Sequence, residues 1–120
     1  MNEAVQFCKA LADETRWRIV RLVRDRAMCV CELADILEMP QSSVSSHVQK
    51  IRKAGMLESE QCGKWTYFRV SGDCLELVSE LARRFPDGGE FGEVMERAEK
   101  RLAERAESCC PGPVTLDRER

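Results

Sequence analysis

The chain has 120 residues, 43% of them hydrophobic and 33% charged, with a formal net charge of −2; this fits one globular domain with a modest core, helped by dimerisation. Its uncharged apolar runs are short and "MNEAVQF" lacks a basic start and a hydrophobic signal region, so neither secretion nor a membrane span is expected and the cytosol is. There the seven cysteines, at 8, 29, 31, 62, 74, 109 and 110, are expected as reduced thiols, an odd number being unable to pair within one chain.

In chain order, "EAVQFCKALAD" carries Val5, Phe7, Cys8 and Leu11 at helical spacing. A second helix follows in "DETRWRIVRLVRDR", with Trp17, Ile19, Val20, Leu22 and Val23 apolar and Asp13 and Glu14 suited to its N-terminus. The spacing predicts a third from about Met28 to Leu37, with Leu33, Ile36 and Leu37 inward. "EMPQ" breaks it before a fourth, from about Gln41 to Ala54, with Val44, Val48 and Ile51 as its buried stripe and Gly55 at the C-terminal cap. The period then changes: "MLESEQ" and "WTYFRV", separated by Cys62, Gly63 and Lys64, read as a β-hairpin. A fifth helix from about Asp73 to Phe85 ends at "PDGG", and a sixth from about Glu90 to Glu107 carries Phe91, Val94, Met95, Ala98 and Leu102. "SCCPGPVTLDRER" reads as a tail, since two prolines, a glycine and few apolar residues offset little ordering entropy. The expected organisation is a DNA-binding and dimerisation domain over 1–85, a helix extending it over 86–108, and a flexible Cys-containing tail over 109–120.

Two helices joined by a short break and followed by a hairpin make a winged helix-turn-helix, a mainly α fold with a small β-hairpin. In it the second helix of the pair enters the major groove and the hairpin reaches along the backbone. The fourth helix offers Gln41, Ser42, Ser43, Ser45, Ser46, His47, Gln49 and Lys50, hydrogen-bonding side chains suited to base edges and phosphates, although one of the serines could simply cap it. Lys64 and Arg69 are the expected phosphate contacts of the wing. Charge supports this: from Gln41 to Arg69 the bases outnumber the acids, whereas from Asp87 to Glu107 the acids predominate. No nucleophile–base pairing points to an enzyme; the lone histidine, His47, is on the DNA-facing helix.

"FCKALADETRWRIVRLV", "CVCELADIL", "PQSSVSSHVQKIRKAGML" and "GKWTYFRV", in this order and spacing, resemble the ArsR/SmtB family of metalloid- and metal-responsive repressors over about residues 4 to 82. The resemblance implies a winged-helix homodimer joined mainly by its first and fifth helices, bound to operator DNA until an inducer ion releases it. Members with a cysteine pair in "CVC" at the start of the third helix are arsenite and antimonite sensors, with cadmium and lead sensors as relatives; Cys29 and Cys31 match that pair. The sequence departs from the pattern where Ala34 stands for a third thiol and Pro40 for a polar residue. "CLELVSELARRF" also lacks the His and acidic set by which other members bind zinc, nickel or cobalt.

Thiols at i and i+2 of an intact helix point about 200° apart and cannot readily share one ion, so binding is expected to distort the start of the third helix, and unwinding its first turn could reorient the fourth. Free N–H groups at that helix start are expected to lower the thiol pKa and favour capture of a soft ion. Trivalent arsenic prefers three thiolates. Cys109 or Cys110 could supply the third, within a subunit or across the dimer, form a separate two-thiol site for a methylated arsenical, or be an oxidation-prone terminus without function; Cys62 and Cys74 read as structural or incidental, and so does Cys8, although the resemblance leaves it a lesser claim as a ligand because some cadmium and lead sensors of the family recruit N-terminal cysteines. The expected function is a homodimeric repressor of an imperfect inverted repeat, with no permanent cofactor and induced by As(III) or Sb(III). The alternatives are a Cd(II) or Pb(II) sensor, a redox- or sulfide-responsive thiol switch of the same fold, and a DNA-binding module without an inducer.

Overall fold

The computed structural model describes residues 2–108 and 110–116. Its elements run α1 (Glu3–Leu11), α2 (Glu14–Leu22), β1 (Met28–Cys29), α3 (Val30–Leu37), α4 (Gln41–Lys53), β2 (Leu57–Cys62), β3 (Trp65–Val70), α5 (Gly72–Arg84) and α6 (Glu90–Ala103), with a 3-10 turn at Arg105–Glu107. Local chemistry sets the boundaries. Asp13 accepts the Arg16 N–H at 3.0 Å and starts α2. Pro40 stands at the N-cap of α4 and makes no side-chain bond, so the serines behind it lie within the helix. Gly55, at φ +80°, follows the end of α4 in the left-handed conformation that closes a helix.

Between β2 and β3 only Gly63 and Lys64 remain for the turn, and Gly63 takes φ +62° as a tight hairpin requires. The register opposes Cys62 to Trp65, Glu60 to Tyr67 and Glu58 to Arg69. The sheet has a third strand that the periodicity does not predict. Met28 and Cys29, expected as the first turn of the third helix, are extended and pair antiparallel with Phe68 and Tyr67, giving the order β1-β3-β2. Two residues are too few to show a strand period. What extends them is the neighbouring β3, already tied to the end of α2 by the Val70 N–H to Val23 carbonyl bond at 2.9 Å.

Ile19, Val20 and Val23 of the α2 segment, Leu33 and Ile36 of α3, Val44, Val48 and Ile51 of α4, and Met56, Phe68 and Val70 around the sheet form one core. Helix α6 joins it through Phe91, Val94, Ala98 and Leu102. Alongside this apolar stripe its arginines, spaced four residues apart, address α3. Arg97 Nε donates to the Ile36 carbonyl at 2.7 Å and Arg101 Nε to Asp35 at 2.8 Å; beyond the helix end, Arg105 Nε donates to Glu32 at 2.6 Å. The last helix is thus docked on the helix that precedes α4. Among the described residues no helix is long and apolar enough to cross a membrane.

Candidate metal centre and DNA face

Three thiols meet where β1 becomes α3. The Sγ atoms of Cys29, Cys31 and Cys110 all lie within 4.8 Å of one another, with Cys29 and Cys110 3.6 Å apart. Cys29 is the N-cap of α3, with extended φ and ψ of −95° and 170°, while Cys31 lies in the first turn. The pair therefore straddles a strand–helix junction. The helical 200° divergence does not apply, and no turn needs to unwind for the two sulfurs to converge. Thiolates around a soft ion at the roughly 2.3 Å of a zinc–thiolate bond stand about 3.8 Å apart at tetrahedral angles, so small side-chain rotations close the set. Cys109 lies outside the described residues. Cys8 is exposed on α1, and Cys62 and Cys74 are half-buried outside the trio.

The surroundings were only partly legible in the sequence. Cys29, Ala27, Tyr67, Cys110 and Leu116 form a second buried cluster, flanked by Cys31, Cys62 and Trp65. Glu32, fully buried, accepts the Cys29 N–H at 3.2 Å and two bonds from Arg105, which also donates to the Ala27 carbonyl at 2.6 Å. Arg101 Nη2 lies 3.6 Å from Cys110 Sγ. Burial pushes the Cys29 thiol well above its ordinary pKa; the Glu32 N–H opposes this, while the Glu32 carboxylate and the Cys110 thiol add to it. The lowered pKa expected of a helix start is thus overridden by desolvation, and an ion entering here must displace a proton. Residues 110–116, expected as loose tail, lie against the sheet. Gly112 N–H donates to Tyr67 Oη at 2.7 Å, and Val114, Thr115 and Leu116 N–H all donate to Glu60. Sequence composition held no sign of these two acceptors, some fifty residues away.

On the adjoining face, α4 exposes Gln41, Ser42, Ser46, Gln49 and Lys50, with Ser43 and Ser45 half-buried beside them and Lys64 exposed at the wing turn. A cleft of about 330 Å³ runs between α4, the wing and the start of α3; Cys29, Cys31, Gln41, Ser45, Gln49 and Lys64 line it. Thiols and the side chains expected to meet DNA thus share one depression. Two expected members of this face point elsewhere. His47 is half-buried, its Nδ1 3.3 Å from Arg16 Nη1 at the α1–α2 corner. Arg69 is 7% exposed and bonds Glu58 across the hairpin at 2.9 Å, a pairing that follows from the register once the two-residue turn is recognised.

Comparison with known proteins agrees with this architecture. The family described as "Bacterial regulatory protein, arsR family" matches residues 13–59. The arsenic resistance transcriptional regulator ArsR1 of Pseudomonas putida is 35% identical over 100 residues, covering 82% of this chain and 77% of its own. The cadmium resistance regulatory protein CadC of Listeria innocua is 32% identical over 82 residues, covering 68% of this chain and 69% of its own. Among solved structures, HlyU from Vibrio cholerae superposes with a TM-score of 0.65 at 27% identity, covering 71% of this chain and 94% of its own. The AntR antimony-specific transcriptional repressor superposes with a TM-score of 0.57 at 28% identity, covering 82% of this chain and 81% of its own. With its winged helix-turn-helix, its polar α4 face and this likeness, the chain belongs to the arsR family of bacterial regulatory proteins and is a DNA-binding transcriptional repressor, not an enzyme.

Proposed function

We propose that the protein represses transcription as a homodimer on an imperfect inverted repeat and is released by trivalent arsenic or antimony held by Cys29, Cys31 and Cys110. The observation that carries this reading is the convergence of three sulfurs from three separate parts of the fold. Cys29 sits on a strand paired with the wing, Cys31 on the helix leading into α4, and Cys110 on the tail. Drawing them onto one ion shifts these parts relative to one another and alters the cleft that α4 and the wing share. Gln41, Ser42, Ser43, Ser45, Ser46, Gln49 and Lys50 read the groove and Lys64 holds phosphate. Exposed Val5 on α1, and Leu77 on α5 with Phe85 at its end, supply apolar surface for the dimer.

The test is an operator-binding titration under excess reductant with arsenite, antimonite, cadmium, lead, zinc and a methylated arsenical. Arsenite or antimonite should release wild-type protein. Cys29→Ser and Cys31→Ser should keep operator affinity within about threefold, since serine retains the size of the side chain and can cap the helix, yet no longer respond. Release by cadmium or lead alone would replace the metalloid assignment, and indifference to every ion would remove it.

A thiol-switch reading has one supporting observation, the 3.6 Å between Cys29 and Cys110 sulfurs, which would have to close to about 2.05 Å for a disulfide. Release by arsenite with all thiols kept reduced separates the two readings.

A further inference from the structure

Cys29, Tyr67 and Glu60 occupy one rung of the sheet: Cys29 opposes Tyr67 across β1 and β3, and Tyr67 opposes Glu60 across β3 and β2. Directly opposed residues project from the same face. The tail runs along this rung and is fastened at each strand. Cys110 meets Cys29 at β1, the Gly112 N–H meets the Tyr67 hydroxyl at β3, and at β2 Glu60 receives the N–H groups of Val114, Thr115 and Leu116 at 2.8, 2.9 and 2.7 Å, with the Thr115 hydroxyl at 2.9 Å. Leu116 is buried beside them.

Four donors of the tail on one carboxylate, which also accepts the Cys62 thiol at 3.4 Å, make this the firmest anchor of the segment, because charge-assisted bonds are roughly twice as strong as neutral ones. Cys110 is also held locally, its N–H donating to Ser108 Oγ at 3.1 Å and its sulfur 3.6 Å from Arg101 Nη2, but among the described residues beyond it Pro111 and Pro113 carry no N–H and the side chain of Val114 is exposed. Without the anchor the segment returns to the loose chain its composition describes, and Cys110 reaches the other thiols only in a fraction of its conformations.

We infer that Glu60, a residue of the DNA-binding wing, is the positioning residue of the third thiol: by clasping Val114–Leu116 it holds Cys110 at Cys29 and Cys31, with Tyr67 as the second fastening. The inference rests on the three-thiol reading above. It adds that the sensing site is assembled partly by the wing. By linkage, an ion that needs the clasp closed favours the wing position in which it closes, so the wing takes part in induction without supplying a ligand.

The experiment measures arsenite affinity by calorimetry and arsenic–sulfur coordination by X-ray absorption on the reduced full chain. Glu60→Ala should bind arsenite about 10–100-fold more weakly, the range seen when groups supporting a ligand are removed. Its coordination should fall from three sulfurs to two. Tyr67→Phe, which removes one fastening and keeps the ring, should show a smaller loss in the same direction. In a Cys110→Ser background, Glu60→Ala should cost nothing further, because Glu60 acts only through Cys110. Three sulfurs and unchanged affinity in Glu60→Ala would overturn the inference, as would an equal loss with and without Cys110. Should Cys110→Ser bind arsenite like the wild type, with two sulfurs in both, it is the three-thiol site itself that fails. If Glu60→Ala does not fold, Tyr67→Phe and its Cys110→Ser partner decide the question by the same comparison.

Discussion

Arg105→Ala tests the reading that α6 and its following turn hold the start of α3 in place. Glu32 is fully buried, and Arg105, with a side chain 13% exposed, is the cation opposite it at 2.6 and 2.9 Å. Removing one member of a buried, hydrogen-bonded pair leaves the other charge uncompensated, at a cost of about 3–5 kcal/mol. An unfolding entropy of roughly 2.1 cal/mol/K per residue near 60 °C gives about 0.25 kcal/mol/K for a chain of this length. The melting temperature should therefore fall by about 12–20 °C at these costs, at one fixed protein concentration because dimerisation adds to stability. Circular dichroism melts under reductant provide the measurement. A fall of less than about 4 °C, equivalent to about 1 kcal/mol, would show that Glu32 is not held as a buried charge and refute the reasoning.

Four further outcomes are expected. Lys64→Ala should weaken binding to all DNA sequences and reduce the slope of log affinity against log salt by about one, whereas Ser45→Ala should relax sequence preference and leave that slope unchanged; fluorescence anisotropy over a salt series distinguishes them. Arg69→Ala should lower stability in urea titrations and leave the salt slope alone, because its guanidinium is spent on Glu58 and not on phosphate. Gly55→Ala should destabilise by about 1–2 kcal/mol in the same titrations, since φ is +80° there although no atom lies within 4 Å of the added methyl. Glu60 gives a pH dependence. Desolvation acts to raise its pKa, but the N–H groups of Val114, Thr115 and Leu116 with the Thr115 hydroxyl outweigh this and hold the carboxyl at about 2. A folded pKa below the ordinary 4.5 means that its contribution is fully present above 4.5 and is lost as pH falls from there through about 2. Amide exchange at 114–116, corrected for intrinsic rates, should thus stay protected from pH 8 to 5 and lose protection only in acid.

The helices were legible because burial repeats: Val44, Val48 and Ile51, or Phe91, Val94, Ala98 and Leu102, mark a face in the sequence as clearly as in the fold. The hairpin is legible from Gly63 between two short runs with strand-type residues. What escaped was pairing at long range. Met28 and Cys29 are extended because β3 lies beside them, and a two-residue strand leaves no period. Arg69 looked like a wing cation because charge counts ignore the opposing residue, although the register already placed Glu58 there. Of the site, Cys29, Cys31 and the two tail candidates came from the sequence. Glu32, Arg105 and Tyr67 beside the thiols, and Glu60 at the tail, did not, since a carboxylate or hydroxyl meeting a distant backbone N–H leaves no pattern along the chain.

In the three-thiol site proposed above, Cys110 follows α6 while Cys29 and Cys31 precede or open α3, so its effective concentration at the pair depends on the tail. A ligand three residues from the pair would be fixed by the helix; one that follows α6 is fixed by the linker after Ala103 and by the clasp at Glu60. Under that proposal, lengthening this linker or weakening the clasp should retune the concentration of inducer at which the repressor lets go, without changing any residue of α4.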